Sequence, residues 1–414
     1  VEAGQTDANA KVVAKSINYR DYSGYWAYSN VGLIGKNAPY TGTFDGNGAE
    51  ITADCILFAE TDGAVIKNVN INSHVYNEKS AGIVQVANNT SIDNCDVYIS
   101  LNYGICGGIA AEAYNSTITN CCVTATGYIY EFGGIVYSTS GNTVIANCVL
   151  KNSGVNVTSL YGGIVGEACG KTEIYNCANS DIFNSRRSGG IVSYAEMSGL
   201  TLENNMYYKE NDCCDVYYDI EKDECISEMV DKDSTVSEKD AEGLYIPAKL
   251  NEYVRANPNQ VKGTTLKTWG VDYNNEPCFA NNKNPELYLI KQSGVKADTL
   301  INGDYARGAL PGDKVTVCGI ADGAVVAVTD VNGNDIKLTT NENGYEFTMP
   351  KCDVTVSAVL DTGISETTVI DGKTYVVVKN ASDFVKAVKS IADGNSELNV
   401  YIAENINLTA EELA

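Results

Sequence analysis

A double glycine that returns at a nearly constant interval constrains this chain more than any other feature. The motif begins at residues 81 (as Ala-Gly), 107, 133, 162 and 189, so the intervals are 26, 26, 29 and 27 residues. A second motif of the form I-x-N-C keeps step with it, starting at residues 92, 118, 145 and 174. Two markers that advance together indicate a structural repeat, and the period suits one coil of a solenoid.

Within each unit the apolar residues alternate, but the phase shifts by one residue at the asparagine of the second motif. Cys95, Val97 and Ile99 alternate after Asn94, whereas Ile92 before it is out of phase. This pattern predicts a strand, a one-residue corner and a second strand. Asparagine suits the corner because it tolerates the left-handed conformation and its amide can bond locally. The predicted fold is all-β: a parallel β-helix of about six coils of 26–29 residues.

Two ladders of side chains follow from this register. The corner asparagines are predicted to stack and bond along the coils: Asn68, Asn94, Asn120, Asn147, Asn176 and Asn204. The residue after each corner faces inward and stacks on its copy in the next coil: Cys95, Cys121, Cys148 and Cys177. Neighbouring coils lie about 4.8 Å apart, which a disulfide could span, but side chains in register point the same way. We therefore expect reduced, buried thiols, with disulfide pairing as the alternative.

The segment LIGKNAPYTGTFDGNGAEI at 33–51 and the GGIVG…IxNC units resemble the GLUG-motif proteins. That family consists of extracellular right-handed β-helices on bacteria, many of them from the gut, and the match covers half of the chain. The resemblance implies a right-handed β-helix that acts as an adhesin or scaffold on the bacterial cell surface. It also implies a cap that closes the open end, formed by a helix at 246–257, Trp269 and the EPCF sequence at 276–279.

Four regions are predicted along the chain. Residues 1–212 form the GLUG-type β-helix, and 213–288 form an acidic excursion followed by the cap. Residues 289–361 alternate around Asn-Gly turns and predict a small Ig-like β-sandwich spacer. Residues 362–414 resemble an α/β capping element that opens another β-helix, which would make the chain part of a longer tandem protein.

Cysteine and histidine usage limits the cross-links and metals that the chain could carry. Cys318 and Cys352 flank the first and last core strands of the sandwich and are the best candidates for a disulfide, against two unrelated thiols. The single His74 leaves no Cys/His pattern for zinc. No cofactor is expected. Calcium is kept only as an alternative, because the loop-like sequence at 231–242, with Asp231, Asp233, Thr235 and Glu242, has Val236 where a calcium loop requires glycine.

The charge of the chain disfavours two classes of partner. A formal net charge of −24 would be repelled by phosphate backbones and by anionic lipid surfaces. No apolar run approaches the roughly 18 residues of a membrane-spanning helix. We therefore expect neither nucleic-acid binding nor membrane insertion. The resemblance to extracellular β-helices implies an extracellular location.

Catalysis is not expected, because its residues do not gather in the repeat. A polysaccharide lyase or hydrolase on a β-helix needs carboxylates, or a carboxylate and a base, on one face. The charged coil residues are interpreted as occupying different repeat positions, so that they do not stack: Glu112, Glu131, Glu167, Glu173, Lys151, Lys171, Arg186 and Arg187. A polysaccharide-degrading β-helix is the first alternative to an adhesin, and a passive stalk is the second.

Tyrosines on the coils are the predicted binding residues. Exposed tyrosine offers rigid amphipathic area for stacking on sugars or docking proteins. The candidates, with two arginines that could anchor an acidic sugar, are Tyr98, Tyr128, Tyr130, Tyr161, Tyr175, Arg186 and Arg187. The alternative is structural, since tyrosine favours strands and an arginine pair can simply solvate a turn. The expected partner is a host or microbial glycan or a surface protein.

Overall fold

The protein divides into two compact units, Val1–Glu286 and Leu287–Ala414. The structure is a computed structural model. It describes residues 16–19, 34–53, 55–75, 79–151, 154–180, 187–208, 214–226, 235–236, 244–294, 297–320, 324–360, 362–364, 366–370, 373–392 and 398–408.

Three parallel sheets form the walls of the N-terminal unit. Sheet 1 contains Ser16–Tyr19, Glu50–Ala53, Asn70–Val75, Lys79–Ala81, Asp96–Asn102, Ile105–Gly107, Cys122–Gly133, Val149–Leu150, Val155–Gly162, Ala178–Asn179, Arg187–Gly189, Met206–Tyr208 and Thr235–Val236. Sheet 2 contains Phe58–Asp62, Val84–Asn88, Ala110–Tyr114, Val136–Ser140, Val165–Ala168, Val192–Ala195, Val216–Asp219 and the antiparallel Glu224–Cys225. Sheet 3 contains Thr43–Asp45, Val65–Lys67, Ser91–Asp93, Thr117–Thr119, Asn142–Ala146, Lys171–Tyr175 and Leu200–Glu203. This is the predicted right-handed parallel β-helix.

The predicted number of six coils is too small. Sheet 3 has seven strands in register, and its first strand, Thr43–Asp45, comes before the first recognisable repeat. Phe44 pairs with Ile66 and so takes the place of the repeat isoleucine, while Gly46 occupies the corner that Asn68 occupies in the next coil. The repeat pattern does not reveal the additional coil, because phenylalanine and glycine replace the isoleucine and asparagine of the I-x-N-C motif there.

Each coil turns through three corners whose chemistry differs. Sheet 1 leads to sheet 2 through the double glycine, and sheet 3 leads back to sheet 1 through the predicted left-handed asparagine. Between sheets 2 and 3 lies another left-handed corner, which carries glycine or asparagine: Gly63, Asn89, Asn115, Gly141 and Gly170. Both residue types adopt positive φ at little cost, so both corners can be sharp.

The helix and hairpin predicted to close the open end lie instead along the flank of the coils. Helix α1, Tyr245–Ala256, and the hairpin Trp269–Val271/Pro277–Phe279 cover outward-facing apolar side chains beside the asparagine corner. These side chains belong to four successive coils: Cys122, Ala146, Val149, Tyr175, Ala178 and Met206. The flank needs this cover because exposing such a contiguous apolar strip to water would be costly.

The C-terminal unit begins with two sheets that share one apolar core. One sheet contains Gly308–Ala309, Tyr288–Gly294, Val354–Leu360 and Ala324–Asp330. The other contains Asp304–Tyr305, Asp298–Ile301, Lys314–Cys318, Gly344–Thr348 and Thr339–Asn341. A third sheet, Thr367–Ile370, Lys373–Val378 and Val400–Ile402, carries helix α2, Ala381–Ala392, between its parallel strands. The short 3₁₀ helix Met197–Gly199 lies in the N-terminal unit.

The predicted Cys318–Cys352 disulfide is not formed, since Cys318 is a free cysteine. Lys314 pairs with Thr348, so the chain that reaches Cys352 leaves the sheet at the Lys314 end of that strand. Cys318 is at the opposite end, four residues away at about 3.3 Å each. The two cysteines flank the core strands in the sequence, but they lie at opposite ends of the sheet.

Candidate functional site

The asparagine corner forms a bonded ladder with one interruption. Every ladder asparagine has a φ of 51–57°. Side-chain amides bond in series at 2.6–2.8 Å for the pairs Asn94 to Asn68, Asn147 to Asn120, Asn176 to Asn147 and Asn204 to Asn176. Between Asn94 and Asn120 the series is interrupted, because Asn120 donates to the Asp93 carboxylate at 2.7 Å and the Lys267 ammonium bonds the Asn94 oxygen.

The cysteines after the corners are buried thiols inside the coil. Cys95 is 2% exposed and the other three are fully buried, and all four are free. Their sulfurs interact with one another along the axis, and burial raises the pKa of the Cys95 and Cys148 thiols well above the usual range. All four side chains lie in the apolar core of the coils, and burial disfavours ionisation of Cys95 and Cys148, so these residues are packing elements.

Four tyrosines share the outer face of sheet 1, and we call them the tyrosine patch: Tyr98, Tyr103, Tyr128 and Tyr130. Their exposed fractions are 42%, 68%, 52% and 51%, respectively. Tyr128 pairs with Asn102 in the neighbouring coil, and the Tyr103 amide donates to the Tyr128 carbonyl at 2.8 Å. Tyr103, Tyr128 and Tyr130 are therefore immediate neighbours, and Tyr98 lies further along the same face.

Tyr103 has an unusual backbone for its residue type. Its φ is +73°, and every other non-glycine residue with positive φ in the described part of the chain is Asn or Asp. The left-handed conformation costs an ordinary L-residue about 1–2 kcal/mol. Backbone strain of this kind occurs preferentially at ligand-binding positions. Tyr103 is not among the binding residues predicted from the sequence, although its position directly before Gly104 signals an unusual backbone.

Two of the predicted binding tyrosines are not accessible. Tyr161 is fully buried because it occupies the same inward position as Phe132 in the preceding coil, and its hydroxyl donates to Asn179 at 3.2 Å. Tyr175 faces outward but is only 9% exposed, because α1 covers that flank. Burial raises the pKa of Tyr175 to about 12. Both predictions are wrong, the first because of strand phase and the second because of a distant helix.

Arg187, one of the two predicted arginines, does not join the tyrosine patch. Arg187 is exposed, begins the strand Arg187–Gly189 and pairs with Leu160, two coils beyond Glu131. Arg186 lies outside the described residues, as do Asp231, Asp233 and Glu242 of the calcium-like sequence. His74 lies in the strand Asn70–Val75, where it pairs with Ser100 in the next coil.

A second polar site lies at the double-glycine corner, and we call it the corner groove: Lys79, Glu112, Glu131, Tyr137 and Glu167. The corner is very tight, because a Cβ on Gly133 would lie 1.9 Å from the Val136 carbonyl oxygen. Outward side chains before and after the corner therefore meet across it. The Tyr137 hydroxyl donates to Glu131 Oε2 at 2.7 Å, and Lys79 forms an ion pair with Glu112.

The corner groove corrects the expectation that charged coil residues do not stack. Glu112, Ser138 and Glu167 are in register on sheet 2. On the other side of the corner, Lys79 and Glu131 belong to one row of sheet 1, with Ile105 between them. The signal was present in the sequence: Glu112 and Glu167 both stand five residues after a first glycine, and Glu131 stands two residues before one. A comparison of residue types does not reveal this signal, because the equivalent position in the coil between Glu112 and Glu167 is Ser138.

Burial and charge perturb the ionisation of the groove. Burial raises the pKa of Glu167, as does the neighbouring Glu131 charge, while a bond from Tyr137 acts in the opposite direction. Burial and the two carboxylates raise the pKa of Tyr137. The Tyr137 hydroxyl thus interacts with two carboxylates at once. Such a pair, with one carboxyl holding its proton to higher pH, is a feature that acid–base chemistry uses.

Two further observations concern the part of the chain that the structure describes. There, no group of three or more His, Cys, Asp or Glu side chains is arranged to hold a metal ion. No helix within the described ranges has the length and apolar character needed to cross a membrane.

The fold is a right-handed parallel β-helix, a class compatible with a surface or secreted protein. No family model matches the chain, and no curated protein matches it. Among solved structures it is similar to a "putative immunoglobulin A1 protease from Bacteroides ovatus", at 18% sequence identity and a TM-score of 0.42. The likeness covers 66% of this chain and 87% of that one.

Proposed function

We propose that this chain is a non-catalytic adhesin or scaffold on the bacterial cell surface, which binds host or microbial glycans or surface proteins through the β-helix face. The observation that carries the proposal is the tyrosine patch. Four tyrosines expose between 42% and 68% of their surface on one sheet. Tyrosine rings supply large contact areas with few side-chain torsions to immobilise, and their hydroxyls can bond to sugar or peptide groups.

Replacement of the patch tyrosines tests this function directly. The double change Tyr128→Ala and Tyr130→Ala should weaken retardation in native affinity electrophoresis against plant, mucin and bacterial polysaccharides by about tenfold or more, because each ring contributes about 0.5–1.5 kcal/mol. The matched control is Tyr305→Ala, which removes a tyrosine that is 60% exposed in the C-terminal unit. Retardation that survives the double change would contradict the patch, and a wild-type chain that binds no glycan or surface protein would favour a passive stalk.

The strain at Tyr103 gives a stability test of the same proposal. Tyr103→Asn should raise the free energy of unfolding by about 1 kcal/mol, because asparagine accepts a left-handed φ more readily than tyrosine. The same change should weaken ligand binding. Chemical denaturation followed by circular dichroism measures the first effect. A loss of stability would mean that the Tyr103 ring supports the fold, which would remove the argument that the strain is retained for binding.

A polysaccharide-cleaving enzyme is the second candidate, and the corner groove favours it. One hydroxyl, that of Tyr137, donates to Glu131 and interacts with Glu167, so a single group brings the two carboxylates close together. Carboxylate pairs in glycosidases are about 5–10 Å apart. Glu167, with its raised pKa, would be the acid. Assays for new reducing ends or unsaturated products test this candidate: Glu167→Gln should abolish them, whereas Glu173→Gln, outside the groove, should not.

The raised pKa of Glu167 also predicts a pH dependence of stability. The folded protein holds this proton to higher pH than the unfolded chain, whose glutamates have a pKa of about 4.3. The favourable contribution of the protonated group is therefore complete below that pH and is lost as pH rises through the folded pKa. Glu167→Gln cannot ionise, so its stability relative to wild type should increase from pH 4 to pH 8. A difference that stays flat between these pH values would contradict the burial of an ionisable Glu167.

A further inference from the structure

The surface around the tyrosine patch differs in charge from the rest of the molecule. The chain contains 53 acidic and 29 basic residues, and charged residues make up 20% of it. Two outward side chains beside the patch are titratable: His74, which pairs with Ser100, and Lys151, which lies beside Thr124 in an ion pair with Asp272. The other outward positions of sheet 1 beside the patch, among the described residues, carry amides and hydroxyls. These positions, paired across successive coils, are Asn72, Ser100, Asn102, Thr124, Thr126 and Asn156.

The register fixes the direction of this strip of amides and hydroxyls. Tyr98 pairs with Thr124, and Tyr128 lies four residues further along that strand. At about 3.3 Å per residue, Tyr98 and the cluster of Tyr103, Tyr128 and Tyr130 are about 13 Å apart along the strands. A ligand that contacts both must therefore run parallel to the strands and across the coils' outer face, with Ser100 and Thr126 beneath its middle.

Acidic groups border the strip at both ends. Asp96 lies two residues before Tyr98, where the Lys151 and Lys267 charges offset part of its own, and Glu131 follows Tyr130 directly. Beyond Glu131 lie the other carboxylates of the corner groove. An anionic polymer laid along the strip would approach the carboxylates beyond Tyr130, in the field of a chain with a net charge of −24. An uncharged chain would meet no such repulsion.

We infer that the tyrosine patch binds an uncharged polysaccharide whose chain runs along the strands of sheet 1. This inference rests on the proposed function and adds to it the class and direction of the ligand. The sugar rings stack on the tyrosines at both ends of the strip, and the sugar hydroxyls bond to the asparagine, serine and threonine side chains between them. Charge complementarity excludes uronic-acid-rich, sulfated and sialylated chains from this site.

The test compares neutral and anionic forms of the same backbone. Native affinity electrophoresis of the whole chain is run with glucan, mannan, galactan and xylan, each unmodified and in a sulfated or carboxymethylated form. The neutral form should bind at least about tenfold more tightly than its anionic partner. Binding of the neutral form should change less than about twofold between low and high salt, because no ion pair is screened. Tyr128→Ala should weaken it, while Tyr305→Ala should leave it unchanged.

A charge introduced into the strip sharpens the result. Thr126→Lys, checked for folding by circular dichroism, should tighten binding of the anionic form about tenfold relative to wild type. Anionic forms that bind wild type as tightly as neutral ones would overturn the inference and leave a glycan-binding function standing. Neutral binding that survives Tyr128→Ala would overturn the site. No retardation by any polysaccharide, neutral or anionic, would overturn both the inference and glycan binding itself.

Discussion

Asn147→Ala should lower the free energy of unfolding of the N-terminal unit by about 4–6 kcal/mol. Asn147 is fully buried at a φ of 57° and makes four side-chain bonds. Its amide donates to Asn120 and to the Lys267 carbonyl, and its oxygen accepts from Asn176 and from Trp269 Nε1, all at 2.7–3.0 Å. Alanine would leave buried donors and acceptors unpaired, each at about 1–3 kcal/mol, and would add the strain of a left-handed corner.

Two variants separate the contributions at this corner. Asn147→Gly removes the same bonds but relaxes the backbone, so it should recover about 1 kcal/mol of the loss. Asn89→Ala removes a corner asparagine with a φ of 46° whose amide makes one exposed bond, to Asp62, and should cost about 1–2 kcal/mol. Denaturant unfolding followed by the fluorescence of Trp269 measures all three. Equal losses for Asn147→Ala and Asn89→Ala would mean that the buried bonds contribute little.

Asn147 also illustrates how far the sequence predicts this fold. Its place in a ladder follows from one unit of the repeat, because local phase and residue type determine the corner. Its bond to Trp269 could not be predicted, because the two residues are 122 positions apart in the chain. The contacts between α1 and the flank of the coils also join residues that are distant in the chain. For that reason the repeat pattern alone predicts an exposed Tyr175.

The same distinction, between what one repeat determines and what contacts distant in the chain determine, applies to the predicted binding residues. Tyr98 and Tyr128 are exposed as predicted by strand alternation. Tyr161 could have been excluded by aligning it with Phe132, because each stands directly before a double glycine. The corner groove depends on the angle between two sheets, which a pattern within a single strand does not contain. Glu131 and Glu167 are 36 positions apart by number, and only the tight glycine corner brings both to one hydroxyl.

Gly162→Ala should destabilise the N-terminal unit by more than about 4 kcal/mol or prevent it from folding. A Cβ at Gly162 would lie 1.7 Å from the Val165 carbonyl oxygen and 2.4 Å from its carbon. Both are backbone atoms, so no side chain can move aside. The strand Val155–Gly162 is paired in the coils below and above, which prevents the backbone from shifting.

Gly154→Ala is the matched control, because it changes the other property of glycine. Gly154 has a φ of +64°, and its Cβ would meet nothing within 4 Å. The cost there is conformational only, about 1–2 kcal/mol. The two denaturation midpoints therefore compare the close approach of backbone across the corner with backbone freedom, at sites in one coil. If Gly162→Ala were no worse than Gly154→Ala, the double glycine would be retained for its conformation and not for the tightness of the corner, and the corner groove would lose its structural basis.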